Sequence, residues 1–265
     1  MTAPFREAAA PLATTPVADR PDDLHILWLI ARRGALESLR DRLTLGFNLF
    51  FVLVFPIGMV LSVIRWQVAA VIDAGRADML GTTLVVYVLT VGLLPATGAV
   101  GIASGQFAGE KEQGSLAPIL ASPASNFAIF GGKILGSILP ALGFALVAEV
   151  VYLSSLAIVH GADKVRLLPV GLALALLALV PAVAIFAATV ASLISSRVRT
   201  FNTAQQIGGL ALVPFWAGVF GLTLKVQDWG PWVFVGIVAG LFAVDAALIA
   251  LAAATWRREE VLAQR

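Results

Sequence analysis

Four long stretches of the chain run without a single Asp, Glu, Lys or Arg: Leu43 to Ile64, Met79 to Gly109, Leu167 to Ser196 and Thr200 to Leu224. Two more are broken once each, Ile134 to Ala162 by Glu149 and Trp229 to Trp256 by Asp245. A helix crosses the hydrocarbon layer with about 20 apolar residues, because roughly 30 Å must be covered at about 1.5 Å per residue. None of the stretches alternates apolar with polar residues as a barrel strand does. The pattern predicts an all-α integral membrane protein with six crossings, near 43–64, 82–106, 134–158, 167–193, 205–224 and 232–255. Composition agrees: 59% of the 265 residues are apolar and 13% charged, with a mean hydropathy of +0.93, which no water-soluble core could accommodate.

With no cysteine and two histidines, disulfide scaffolds, iron-sulfur clusters and thiol nucleophiles are excluded, and little remains to hold a metal. The formal net charge is only +2, so the basic residues report topology rather than nucleic-acid binding. Six crossings put both ends of the chain on one side. Thirteen of the 18 Lys and Arg fall on that side, in the N-terminal region, the second and fourth loops and the C-terminal segment. The positive-inside rule makes that side the cytosol. Trp66, Trp229, Trp232 and Trp256 fall where interfacial rings settle.

Residues 1–23 are rich in Ala, Pro and Thr and lack the apolar core of a secretory signal, and they read as a disordered cytosolic tail. Residues 257–265 read as a second cytosolic tail. Between the first tail and the first crossing, residues 24–42 are too charged to span yet carry Leu24, Leu27, Trp28, Ala31, Leu36 and Leu39. They predict an amphipathic helix along the cytosolic face, in contact with lipid, capped by Asp22 or Asp23 and kinked or limited by Gly34.

The loop between the second and third crossings, Phe107 to Lys133, is the longest between crossings. The charges Glu110, Lys111 and Glu112 precede Gly114 and Ser115, then an apolar run through Leu116, Ile119 and Leu120 that Ser122 and Pro123 end. Ser125 is placed to start the next helix. The spacing predicts a short, partly apolar helix held outside the bilayer by glycine-rich arms. Pro118 suits a first turn and not an interior, which puts the start near Ala117.

This loop resembles that of the ABC-2 type transporter permeases. Gly109, Glu110, Lys111, Glu112, Gly114, Ser115, Leu116, Leu120, Ser122, Pro123, Gly132 and Lys133 match the family's pattern of Gly-Glu-Lys-Glu, Gly-Ser, Leu, Ser-Pro and Gly-Lys. Arg40, Asp41 and Arg42, followed by Thr44 and Leu45, resemble its Arg-Asp-Arg before the first crossing. Gly34, Ala117 and Pro118 depart from the pattern, Gly34 and Ala117 where relatives carry acidic residues. The resemblance implies a permease subunit in a prokaryotic plasma membrane, exporting a hydrophobic or amphipathic substrate. Its loop is a coupling helix seated on a separate ATP-binding subunit that binds ATP and Mg. Glu110, Lys111 and Glu112 pair with charges there, Leu116, Ile119 and Leu120 fill its groove, and a second permease copy completes a homodimer or heterodimer. No G-x-x-x-x-G-K-[ST] occurs, so this chain carries no ATPase site of its own and no cofactor is expected in it.

Glu149 and Asp245 are the acidic residues deep in predicted crossings, and an ionised carboxylate there needs a partner or a wet cavity. No Lys or Arg shares their depth, so protonation or hydrogen bonds from Tyr152, Ser154, Tyr87 or Thr90 are expected, and the two residues are candidates for the transport pathway. They also support an alternative, a secondary transporter coupled to ions or protons, although the two halves of the chain show no repeat. A membrane-embedded hydrolase is disfavoured: Ser104 and His160 fall at opposite ends of their crossings, about a bilayer apart. Pro56, Pro95, Pro140, Pro181 and Pro214 are placed to kink crossings. The pairs Gly101 and Gly105, Gly132 and Gly136, and Gly236 and Gly240 are spaced for close helix packing.

Overall fold

The structure, a computed structural model, describes residues 22–120, 122, 124–225 and 229–255. Residues 1–21 of the tail predicted at 1–23 and the tail predicted at 257–265 lie outside the described residues, as does Trp256, whereas Asp22 and Asp23 stand at the start of the first helix. Among the described residues the chain is helical and contains no strand. The helices are α1 (Asp23–Arg40), α2 (Leu45–Asp73), α3 (Ala77–Glu112), α4 (Leu116–Leu120), α5 (Asn126–His160), α6 (Ala162–Arg166), α7 (Val170–Arg197), α8 (Phe201–Ala211), α9 (Val213–Lys225) and α10 (Pro231–Thr255). Five are long and apolar enough to cross a membrane: α2, α3, α5, α7 and, within α10, Trp232–Ala252.

Each of the first four rods differs from its predicted crossing by reaching further into polar sequence. The helix predicted at 134–158 starts at Asn126, where the Ser125 hydroxyl accepts a hydrogen bond from the Ala128 N–H at 3.0 Å, the capping role that Ser125 was expected to play. The helix predicted at 82–106 continues to Glu112. Absence of charge locates hydrocarbon, whereas a helix ends where its backbone groups find other partners.

The segment predicted as one crossing at 205–224 forms two helices that meet at Leu212. Pro214 explains the break, since its ring has no N–H to donate and crowds the carbonyl four residues earlier. The pair still packs on the bundle: Leu212 and Val219 are buried, and the rings of Phe186 and Phe215 stack at 5.3 Å. Pro95, Pro140 and Pro181 lie inside continuous helices. Pro56 sits between two wide turns of α2, Phe50–Val54 and Val60–Ile64, in which the ladder is of the π type.

The core is built by α3, α5 and α7. One apolar cluster runs between them through Leu89, Leu93, Val180, Val183 and Ala187, and a second joins α2 to α3 and α5 through Val60, Ile64, Leu84, Val88 and Tyr152. Small residues allow this close packing: Ala182, Ala184, Ala187, Ala188 and Ala191 on α7 are all fully buried.

The first helix differs from its prediction in two respects. It runs unbroken through Gly34, and Asp22 stands at its N-cap without a side-chain capping bond. It also docks along α5. A Cβ on Gly132 would meet Ile30 Cβ and the Leu27 carbonyl, each at 2.8 Å, and one on Gly136 would meet the Ala31 carbonyl at 2.9 Å. Glycine at both positions lets the two backbones approach. Leu24, Trp28, Leu29, Leu36 and Leu39 remain exposed on the rest of α1. Arg33 and Glu37 form an exposed pair at 2.7 Å, and the carboxylate holds the Arg33 guanidinium above its ordinary value.

Candidate functional site

Four helix segments meet at the end of the bundle that carries the 107–133 loop. The last turns of α3 widen into a π segment over Gly105–Gly109. The Ser195 hydroxyl of α7 serves that segment, accepting from the Ala108 N–H at 2.8 Å and donating to the Ser104 carbonyl at 2.9 Å. Lys111 also bonds to α7. Its ammonium donates to the Ser196 carbonyl at 2.6 Å and the Val198 carbonyl at 3.2 Å, placing a cation at the C-terminal end of a helix, where the backbone dipoles favour one.

Lys133 of α5 is the centre of the arrangement. Its side chain is 1% exposed and donates to Glu110 Oε2 at 2.6 Å and to the Gln106 carbonyl at 2.5 Å. Its ammonium also stands 5.1 Å from the centroid of the Phe107 ring. The two ends of the loop motif, Gly109 to Glu112 and Gly132 with Lys133, are thus one structural unit. The Gln106 side chain enters the same junction, where a Cβ on Gly136 would lie 3.1 Å from its Nε2 and one on Gly34 would collide with it.

This geometry sorts the charges of the loop differently from the sequence expectation that all three face a partner. Glu110 is turned inward to Lys133 and Lys111 to α7, while Glu112 is exposed. Gly114 takes a φ of 70°, a left-handed turn that glycine adopts readily, and the Ser115 N–H closes it by donating to the Glu110 carbonyl at 3.0 Å. The short helix begins at Leu116, one residue before the expected start, with Pro118 in its first turn. Leu116 is 3% exposed and belongs to the chain's own core, with Ile119 packed against it, and the side chain of Leu120 is not among those described. Among the described residues the exposed surface of the loop is Glu112, Gln113, Gly114 and Pro118, with Asn126 and Phe127 exposed where α5 begins. Arg40, Asp41 and Arg42 are exposed at the join of α1 to the first long rod, with the Asp41 N–H donating to the Glu37 carbonyl at 3.2 Å.

The two deep carboxylates lie apart from this junction. Glu149 is 7% exposed on α5, with Oε1 pressed against Gly92 of α3, and a Cβ on Gly92 would also come within 3.0 Å of Val180 Cγ2 on α7. Asp245 is 2% exposed, and α10 carries it on the stripe of Phe234, Val238 and Ala252 that is buried in the bundle. Glu149 Oε1 and both Asp245 oxygens have no hydrogen-bond partner among the described residues. Two of the expected donors are engaged elsewhere: the Tyr152 hydroxyl donates to the Leu84 carbonyl at 3.2 Å and the Thr90 hydroxyl to the Val86 carbonyl at 2.9 Å. Ser154 is exposed. Among the described residues, no group of His, Asp and Glu is arranged to hold a metal ion.

Sequence reasoning missed Gln106, Ser195 and Ser196. A glutamine ending an apolar stretch and a Ser-Ser pair at the foot of another were the available signals, since polar side chains there must find partners. The bond network makes a prediction. Ser195→Ala strips the Ala108 N–H of its acceptor in a buried place and is expected to cost about 1 to 3 kcal/mol, read by thermal unfolding of the purified protein. Ser192→Ala, on the same helix with a hydroxyl that has no partner among the described residues, is expected to cost less than half as much.

No protein-family model matches the chain, and no curated protein matches it.

Proposed function

We propose that the chain is the permease subunit of an ATP-driven ABC-2 type transporter of a prokaryotic plasma membrane, exporting a hydrophobic or amphipathic substrate with energy from a separate ATP-binding subunit. One observation carries the reading beyond the sequence resemblance. The Gly-Glu-Lys-Glu and Gly-Lys ends of the motif close on each other through the Glu110 and Lys133 pair, and α1 docks on the same segment of α5. A push on the loop from outside is therefore delivered to α1, α3, α5 and α7 together, because each holds the junction by packing or hydrogen bonds. That is the property a coupling element needs.

In this reading both ends of the chain are cytosolic, and α8 with α9 makes the sixth crossing. The loop presents Glu112, Gln113, Gly114 and Pro118 to the ATP-binding subunit, where charged contacts pair Glu112 with a basic group. Two permease copies face each other. ATP and Mg bound by the partners bring the two loops together and switch access to a pathway between the copies. Asp245, Glu149 and the apolar crossings leave few fixed charges for a polar cargo, which favours an apolar one.

The test uses the absence of native cysteine. A single cysteine at Gln113, fitted with a photoreactive cross-linker in native membranes, is expected to capture a protein with an ATP-binding sequence. A cysteine at Trp66 should capture none. Capture from neither position would refute the assignment of this loop. Capture at Gln113 that Glu112→Lys abolishes would identify Glu112 as a contact.

A further inference from the structure

Glu149 poses a problem of charge and of space at once. Glu149 is 7% exposed at a junction of three helices, where its Oε1 touches Gly92 so closely that a Cβ on that residue would collide with it. The same Cβ would stand 3.0 Å from Val180 Cγ2. Around it the packing is apolar: Leu89 and Leu93 flank Gly92, and Ala145 and Ala148 precede Glu149 on its own helix, all of them buried. A methyl group does not fit against Oε1 at Gly92, so there is no room on that side for a metal ion with its ligands or for an organic cation.

Among the described residues no fixed cation answers the charge. The ionisable side chains nearest in sequence to Gly92 and Glu149 are Tyr87 and Tyr152, and the Tyr152 hydroxyl is spent on the Leu84 carbonyl. On α5 the other ionisable groups are Lys133, held by Glu110, and His160, whose Nε2 lies 3.3 Å from the Val60 carbonyl at the far end. Between Val170 and Ser196, α7 carries no ionisable residue, and α3 carries no acid or base between Asp78 and Glu110. The first rod contributes Arg65 and Asp73 only toward its end, and α10 contributes Asp245, another acid. An ionised carboxylate with no cation and no donor at Oε1 is the costliest way to arrange these atoms, whereas a neutral acid loses far less.

We infer that Glu149 is a proton-binding site of the membrane domain, occupied while α3, α5 and α7 are packed as they are here. The ligand is the one cation small enough for the space between Oε1 and Gly92. Binding is a simple addition: the carboxylate oxygen gains H+ from water when the junction is open and returns it to water when the junction opens again. The inference needs only that these three helices cross the membrane, and it holds or fails independently of any ATP-binding partner.

Infrared spectroscopy of the full chain in lipid vesicles at neutral pH reads the protonation state directly, because the C=O stretch of an un-ionised acid is separate from the carboxylate bands. The expected spectrum contains such a band. Labelling glutamate carboxyls with carbon-13 should move it, which distinguishes Glu149 from Asp245 without altering the protein. Glu149→Gln should remove the component that the label moves while leaving the unfolding temperature near wild type. Gly92→Ala should weaken that component, by driving a methyl group into the carboxyl and opening its surroundings. A wild-type spectrum with no component sensitive to glutamate labelling overturns the inference, as does a component that persists in Glu149→Gln. If Glu149→Gln does not fold, the labelled wild-type spectrum alone decides.

Discussion

Replacing Lys133 by methionine is expected to destabilise the protein by about 3 kcal/mol, the range seen when one partner of a buried ion pair is removed. Methionine matches the length and volume of the lysine stem, so the apolar packing survives and the loss is electrostatic. What remains is the Glu110 carboxylate, 15% exposed, without its cation, and the Gln106 carbonyl without its donor. The double variant Lys133→Met, Glu110→Gln should recover a large part of the loss, because the neutral amide no longer carries a buried charge. Thermal unfolding followed by tryptophan fluorescence in detergent or lipid measures all three proteins. If Lys133→Met unfolds like wild type, the ammonium is not holding the junction, and the loop is not tied to α5 in the way described.

The second large effect concerns the docking of α1. Gly132→Val places a branched side chain where even a Cβ would lie 2.8 Å from both Ile30 Cβ and the Leu27 carbonyl. One of those neighbours is backbone and cannot rotate away, so α1 must move. Overpacking of this kind costs about 1 to 3 kcal/mol. The displacement itself can be read with a single cysteine at Ala31, which is fully buried against α5. The thiol should resist a soluble maleimide in an otherwise unaltered chain and react at least ten times faster when Gly132→Val is added. Gly236→Val serves as the control, because a Cβ there meets nothing within 4 Å. Equal protection in both backgrounds would show that α1 does not depend on the glycine contact.

These two sites show where the sequence was sufficient and where it was not. The five long helices were legible because hydrocarbon demands runs of apolar residues, and the runs are uninterrupted or nearly so. Their ends were not, because helices such as α3 and α5 continue past the apolar run into charged sequence until a cap such as Ser125 or a glycine turn such as Gly114 stops them. The break at Leu212 could have been read from Pro214, yet proline inside α5 and α7 leaves those helices continuous, so the residue type alone does not decide.

The loop residues were legible as a group and not as individuals. Glu110 and Lys133 are 23 positions apart. Periodicity says nothing about such a pair, whereas folding α3 against α5 brings them within 2.6 Å. Three consecutive charges look alike in a sequence, and only the helix rotation set by the π segment sends Lys111 to α7, Glu110 to Lys133 and Glu112 outward. Of the three glycine pairs at four-residue spacing, Gly132 and Gly136 mediate a close helix contact, while Gly236 and Gly240 have nothing within 4 Å. Spacing marks a face that can be approached, and the partner that approaches it comes from tertiary structure.

The central claim, that this membrane domain works with a separate ATP-binding subunit through the exposed tip of its loop, is tested most directly by gentle purification of the tagged chain from native membranes. The proteins that accompany it are identified for wild type and for Glu112→Lys. The account predicts an ATP-binding subunit with the wild-type chain and its loss from the variant, with the variant itself folded and present in normal amount. A wild-type chain that carries no such subunit and still moves substrate into vesicles without ATP would contradict the account and make Glu149 and Asp245 the centre of an ion- or proton-coupled mechanism.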